Sequence, residues 1–262
     1  MRHFEFPYPG LSPSLVMQPI IAMHSQLWLR SEAFLRVHDH GRPITIVDFL
    51  ARAEAGGRMT AVDQWVIAQG LDWLEATEGQ LGRGRLHLNT HAGSWDNPEF
   101  LAWLLAYCAT SPARQWLCIE ITEQAPIENK GRAVAYVRQL RAAGVEIALD
   151  DFGSSHMGLD MLFRFPADML KIDAEVINTL CTQHVGRALL ATVIAIARKR
   201  GMAVTAEGVE TQETLDNLKA LGVDYVQGFF YAKPLAPEET IQTFSMVANA
   251  AYGSGAALPV AA

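Results

Sequence analysis

VEIALDD at residues 145–151 and MLKID at residues 169–173 decide the fold. Each is a short apolar run that breaks into ionisable side chains at its C-terminal end, Asp150 and Asp151 in the first, Lys171 and Asp173 in the second. The interval between them is long enough for a helix. An apolar run, a helix and a second apolar run make one βα unit of a parallel sheet. Similar runs recur in both directions along the chain, at 15–22, 27–34, 85–90, 116–122, 203–206 and 225–227, which brings the strands to eight. Only the first two follow one another without a helix, so the first strand is expected to pair antiparallel.

Periodic segments fill the intervals. Residues 61–76 set Val62, Trp65, Val66, Ala68 and Leu71 near one stripe, and residues 187–200 form a similarly apolar helix with a basic last turn. Gly144, Gly201 and Gly222 stand where helices must stop before strands, and Pro237 opens the last helix. Eight strands with interleaved helices suit a TIM-like (β/α)8 barrel with an antiparallel first strand, although counting alone leaves a doubly wound sheet open. The chain divides into an N-terminal segment 1–14, a barrel domain 15–250 and a tail 251–262 expected to be disordered.

Composition bounds the function. The 262 residues are 50% hydrophobic, enough for one large core, and the formal net charge of -7 argues against a protein that tracks DNA or RNA through a basic surface. Cys108, Cys118 and Cys181 lack CxxC spacing or a histidine partner, so neither a zinc knuckle nor a disulfide framework is indicated. The longest apolar run, 189–197, ends at Arg198, Lys199 and Arg200, short of a membrane span. Pro and Glu interrupt MRHFEFPYPG where a signal peptide needs an apolar core. The expectation is a cytoplasmic protein that does not enter a membrane.

In a barrel the strand C-termini converge on one mouth. Here those ends carry Glu32, Asn89, Glu120 with Glu123, Asp150 with Asp151, Lys171 with Asp173, Glu207 with Glu210, and Gln227. Any one acid at a strand end is more often a cap or a surface group than a catalyst. Their convergence is not explained by capping, and it is costly in repulsion and desolvation unless cations neutralise it. All-oxygen ligands favour Mg²⁺, Mn²⁺ or Ca²⁺ over zinc, and Asp150 and Asp151 are candidates to bridge two ions. Lys171 can stabilise an anionic transition state or orient a water, and Glu207 can take its proton. Asp151-Phe152-Gly153 matches the kinase DFG triplet, but no Gly-rich loop or catalytic loop accompanies it.

The stretches SEAFLR (31–36), LHLNTH (86–91), IEITE (119–123), ALDDFG (148–153), LKID (170–173), AEGVET (206–211) and VQGFF (226–230) together resemble the EAL-domain family of cyclic-di-GMP phosphodiesterases. The resemblance implies metal-dependent hydrolysis of one phosphodiester to linear pGpG. It implies two Mg²⁺ or Mn²⁺ ions on Glu32, Asn89, Glu120, Asp150 and Asp151, with Lys171 orienting water and Glu207 as general base or a further water-positioning ligand. By the same resemblance Arg36 contacts a substrate phosphate, Gln227 and Asp173 lie in the substrate site, and Glu123 and Glu210 support the loop after the fifth strand.

This chain departs from the family pattern at three places. Phe34 replaces the Leu of the namesake triplet, an apolar exchange that leaves Glu32 in place. Ser154, Ser155, His156, Met157 and Gly158 replace most of the family's loop after strand five, which couples dimerisation to the site, so a homodimer or a protein partner is a weaker expectation. His91 stands where Ser is usual and alternates with His87 and Asn89 along one strand, which suggests an extra imidazole ligand or, more simply, a hydrogen-bonded wall of the mouth. The altered loop motivates two alternatives to catalysis, a cyclic-di-GMP receptor and a degenerate protein-interaction regulator.

Overall fold

A computed structural model describes residues 4–24, 28–77, 84–122, 127–154, 158–181 and 183–243. Nine strands are defined: β1 Leu11–Ala22, β2 Trp28–Asp39, β3 Arg42–Ile44, β4 Arg85–Thr90, β5 Leu117–Thr122, β6 Glu146–Phe152, β7 Met169–Ile172, β8 Ala203–Ala206 and β9 Tyr225–Gln227. The helices are α1 Ile46–Ala55, α2 Met59–Ala76, α3 Pro98–Thr110, α4 Lys130–Ala142, α5 Gly158–Arg164, α6 Ala174–Leu180, α7 His184–Lys199 and α8 Gln212–Leu221. The sheet closes through the order β1-β9-β8-β7-β6-β5-β4-β2 and back to β1. β1 runs antiparallel to both neighbours and the other barrel pairs are parallel, as the sequence predicts.

β2 runs to Asp39, beyond the predicted end at 34, and turns back into β3, which the sequence reading lacks. The turn is two residues long with His40 at φ 47° and Gly41 at φ 79°. That is the twist-matched geometry of a tight hairpin, and Gly41 meets its positive φ without strain. The hairpin and the start of β1 rise beside the strand C-termini, because β1 enters from that side.

The helices start and stop on local chemistry. Asn97 caps α3 by accepting from Glu99 and Phe100 N–H, with Pro98 at the first helical position. Thr211 caps α8, and Gly222 ends it in the left-handed region at φ 77°. Pro237 opens a helical segment over 237–243. The expected tail lies outside the described residues. Phe6 stacks on Phe49 at 5.6 Å and meets Trp65 edge-on at 5.1 Å, so residues before β1 pack onto α1 and α2. All three cysteines are buried and free.

Side chains two apart on a strand share a face, which stacks the barrel interior in layers. Cys118, Ala148 and Met169 form a small dry layer with Ala203 and Tyr225. Two residues further along β5, β6 and β7 come Glu120, Asp150 and Lys171, so the charged mouth rests on this apolar patch, with His87 of β4 beside Cys118 in the same layer.

Candidate active site

Lys171 lies at the centre of the mouth and is fully buried. Its Nζ stands 2.9 Å from Glu32 Oε2, 2.8 Å from Glu120 Oε2, 3.0 Å from Asp150 Oδ1 and 2.7 Å from Glu207 Oε1. Strands β2, β5, β6 and β7 and the residue just after β8 therefore bring their side chains to one point. Asn89 Nδ2 donates to Glu32 Oε1 at 2.6 Å, and Gln227 Nε2 donates to Glu32 Oε2 at 2.9 Å. Gln227 also donates to Gln18 Oε1 at 3.2 Å. Sequence reasoning passed over Gln18; the signal was a lone amide inside the apolar run VMQPII of β1.

Adjacent residues on a regular strand face opposite sides, so Asp150 and Asp151 would not both reach the mouth. The β6–β7 register shifts between Leu149 and Phe152, and Asp151 takes φ 56°, one of two non-glycine residues with positive φ among those described. This bulge turns both carboxylates to the cavity, a use bulges often serve beside functional sites. Two groups of acids then lie with their oxygens within 4.8 Å of one another, Glu32 with Glu120 and Asp150, and Asp150 with Asp151 and Glu207. Asp150 belongs to both.

Four carboxylates around one ammonium leave negative charge in excess. Burial, reinforced by Glu32 and Asp150, pushes Glu120 well above the usual carboxyl range, and burial with Asp150 and Glu32 does the same to Glu207. Burial raises Asp150 to about 6 despite Lys171. Glu32 moves the other way: burial opposes its charge, but Lys171, Gln227 and Asn89 together hold it below the usual value. Burial alone would discharge Lys171, yet Asp150, Glu120, Glu207 and Glu32 keep its ammonium charged. Asp150 Oδ1 is buried and makes no hydrogen bond, although the ammonium is near.

A cavity of about 500 Å³ opens above these groups, a size usual for small-ligand sites. Glu32, Asn89, Asp150, Asp151, Glu207, Glu210, Gln227 and Arg36 border it, with Phe34 and Phe229 among the apolar walls. Glu120 and Lys171 lie beneath its surface. Asp173 does not border it; its carboxylate accepts the Glu175 N–H at 2.8 Å and caps α6. Glu123, Ser155, His156 and Met157 lie outside the described residues. His91 borders the cavity but caps the following turn, its Nδ1 accepting the Gly93 N–H at 3.1 Å.

Asp63 on α2 also reaches the cavity wall, where its carboxylate accepts the His91 N–H at 3.0 Å. Burial pushes it from 3.8 up to about 7. Its contribution to stability is complete where both folded and unfolded forms are protonated, is lost as pH rises from about 4 to about 7, and stays lost above. That shift corresponds to at most about 4 kcal/mol. Asp63→Asn keeps the acceptor, so urea unfolding should show a flatter pH profile over that window and greater stability at pH 8 than the parent.

Gly228, next to Gln227, permits a close backbone approach. A Cβ there would overlap the backbone N and O of Val209, in the loop that carries Glu207 and Glu210. Val209 N donates to Gln227 O at 3.0 Å, and Phe230 N to Val209 O at 2.9 Å, which lock the two loops together. Gly228→Ala is expected to cost about 1–3 kcal/mol by overpacking and to displace Glu207. Thermal unfolding measures the first effect, and a crystal structure of the variant the second.

Comparison with known proteins agrees with this architecture. The EAL domain profile matches residues 13–234. Cyclic di-GMP phosphodiesterase PdeF of Escherichia coli is 28% identical over 90% of this chain, and cyclic di-GMP phosphodiesterase PdeB of Shewanella oneidensis is 30% identical over 78% of it. The aligned parts make up 32% and 24% of those proteins, so the chain spans a third or less of their length. Among solved structures, the EAL domain protein of Listeria monocytogenes superposes with a TM-score of 0.80 at 24% identity, covering 90% of this chain and 93% of that one. The PaMucR phosphodiesterase, solved as a c-di-GMP complex, gives a TM-score of 0.78 at 27% identity, covering 87% of this chain and 94% of that one. With the profile running from within β1 past β9, over most of the chain, the chain belongs to the EAL domain family.

Proposed function

We propose that this domain hydrolyses one phosphodiester of cyclic-di-GMP to linear pGpG, with two divalent ions, Mg²⁺ or Mn²⁺, held at the mouth. The observation that carries the reading is the pair of carboxylate clusters sharing Asp150. The donors are all oxygen, which suits hard divalent cations. The charge balance fits as well, because four acids crowd one ammonium and Asp150 Oδ1 is buried without a hydrogen bond. Glu32, Asn89, Glu120, Asp150 and Asp151 would hold the ions, with Asp150 the shared ligand. When bound, the ions supply Lewis-acid activation of water and offset the charge of the phosphoryl group. Two relatives named as cyclic di-GMP phosphodiesterases support the substrate.

The chain's own groups account for the remaining steps. Glu207 borders the cavity while its oxygen touches Lys171, a position from which its carboxylate can take a proton from the attacking water. Lys171 has three N–H bonds for four carboxylates; it fixes their positions and, once their charge is shared with cations, can turn an N–H to the water. Arg36, on the cavity rim, meets a substrate phosphate. Gln227 of β9 holds Glu32 of β2 from two strands away, across β1. The water oxygen bonds to phosphorus, the P–O3′ bond breaks, and the leaving 3′-oxygen takes up a proton that balances the one Glu207 removed from the water. The retained acids and Lys171 give no specific support to a receptor or adaptor reading.

The test is product formation by the full chain with cyclic-di-GMP and Mg²⁺, then Mn²⁺, read by chromatography. Linear pGpG that disappears in Glu32→Ala is expected. Wild-type product no higher than in that variant would defeat the proposal.

A further inference from the structure

His87 sits on β4 one layer below the cavity, fully buried, and does not border it. Its Nδ1 is 2.7 Å from Glu120 Oε1, and its Nε2 is 3.2 Å from Arg30 Nη1. Arg30 is held in turn by Glu146, whose Oε2 accepts at 2.7 Å, and Arg85 takes the other oxygen of Glu146 at 2.8 Å. A line of polar contacts therefore runs up the barrel interior, from Arg85 through Glu146, Arg30 and His87 to Glu120 and Lys171.

The direction of each hydrogen bond follows from the donors. A guanidinium has N–H groups and no acceptor, so His87 Nε2 must accept from Arg30. A neutral imidazole then carries its hydrogen on Nδ1 and donates it to Glu120 Oε1. The other oxygen of Glu120 faces the Lys171 ammonium at 2.8 Å. Both oxygens meet donors, so the carboxylate form of Glu120 is the one this geometry holds, against the burial that favours its protonated form. The imidazole also fixes the plane of the carboxylate. Oε1 is bound from below, and Oε2 is left toward Lys171 and the neighbouring acids of its cluster.

We infer that His87 is a positioning residue that, as the Nδ1–H tautomer backed by Arg30, pins Glu120 so that one defined oxygen is presented to a divalent cation. The inference rests on reading Glu120 as a metal ligand. It assigns no contact between His87 and substrate. Hydrogen bonds to a ligating carboxylate from outside the coordination sphere set its orientation, and their loss commonly weakens metal binding about 10–100-fold.

The experiment is Mn²⁺ titration of the full chain without nucleotide, followed calorimetrically, for wild type, His87→Phe and His87→Gln. Phenylalanine fills the space without a donor or acceptor; glutamine supplies both. His87→Phe is expected to weaken Mn²⁺ binding about 10–100-fold, and His87→Gln to recover part of the loss. In turnover, the deficit of His87→Phe should shrink as Mn²⁺ is raised while KM for the dinucleotide stays near the parent value. Nitrogen NMR of the wild-type protein should show hydrogen on His87 Nδ1 and none on Nε2, a readout independent of whether the Phe variant folds. A folded His87→Phe protein with parental Mn²⁺ affinity, or hydrogen on Nε2, would overturn the inference and leave the hydrolase reading intact. His87-dependent Mn²⁺ binding by a protein that forms no pGpG would support the inference and defeat that reading.

Discussion

Lys171→Met should destabilise the folded chain by about 3–5 kcal/mol at pH 7.5 without divalent metal. The ammonium is fully buried, and within 3.0 Å it faces Glu32, Glu120, Asp150 and Glu207. Methionine extends as far as the lysine Cε and removes the charge, which leaves four buried acids clustered without a counter-charge. Two conditions should relieve the defect. The folded pKa of Asp150 is already raised to about 6, and those of Glu120 and Glu207 lie well above their ordinary values. Acids raised in the folded state destabilise it as pH climbs, so the deficit should shrink on acidification and grow above pH 7. Mn²⁺ should also restore stability, by about 2.7 kcal/mol at a hundred times its dissociation constant. Urea unfolding followed by tryptophan fluorescence measures both effects. A loss below about 1 kcal/mol that is flat with pH and indifferent to Mn²⁺ would show that the charge cluster is not what the ammonium stabilises.

Asp150→Asn is expected to lower pGpG formation about 10³-fold, equivalent to several kcal/mol of lost transition-state stabilisation. Asp150 is the one acid common to both clusters, so its neutralisation would affect both of the proposed ion positions. Mn²⁺ stoichiometry should fall from two ions toward one, which calorimetry reads without reference to turnover. In the parent protein the same carboxyl must lose its proton to bind an ion, so Mn²⁺ affinity should weaken as pH falls below about 6. The Asn variant should lose that part of the pH dependence. An Asn variant with parental stoichiometry and parental turnover would remove Asp150 from the bridging position.

The barrel is legible in the chain because each parallel strand is a short apolar run with chemistry at one end. β4, β8 and β9 begin and end at the predicted residues, and the antiparallel β1 follows from the missing helix between the first two runs. The hairpin to β3 carried a signal in Leu35 and Val37, both buried, followed by His40-Gly41, but charged neighbours mask that alternation. The site is legible as a set of strand ends and not as a geometry. Strand periodicity puts Asp150 and Asp151 on opposite faces, and only the bulge with its positive φ at Asp151 reconciles them with one mouth. Lys171 reads as a group that stabilises an anionic transition state or orients a water; its depth beneath the cavity surface is not legible, because it follows from β7 delivering it to the layer where β5 delivers Glu120. Asp173 begins a helix directly after β7, and its carboxylate is occupied by capping. The partnership of His87 with Glu120 depends on which residues of neighbouring strands lie abreast, a register no single strand records.

The most direct test of hydrolysis at this mouth is to incubate the full chain with cyclic-di-GMP and Mn²⁺ in heavy-oxygen water and weigh the product. Linear pGpG carrying one heavy oxygen on its terminal phosphate, absent in Glu32→Ala, is the expected result. Unlabelled product, or label and yield unchanged in Glu32→Ala, would contradict attack by water held among these carboxylates.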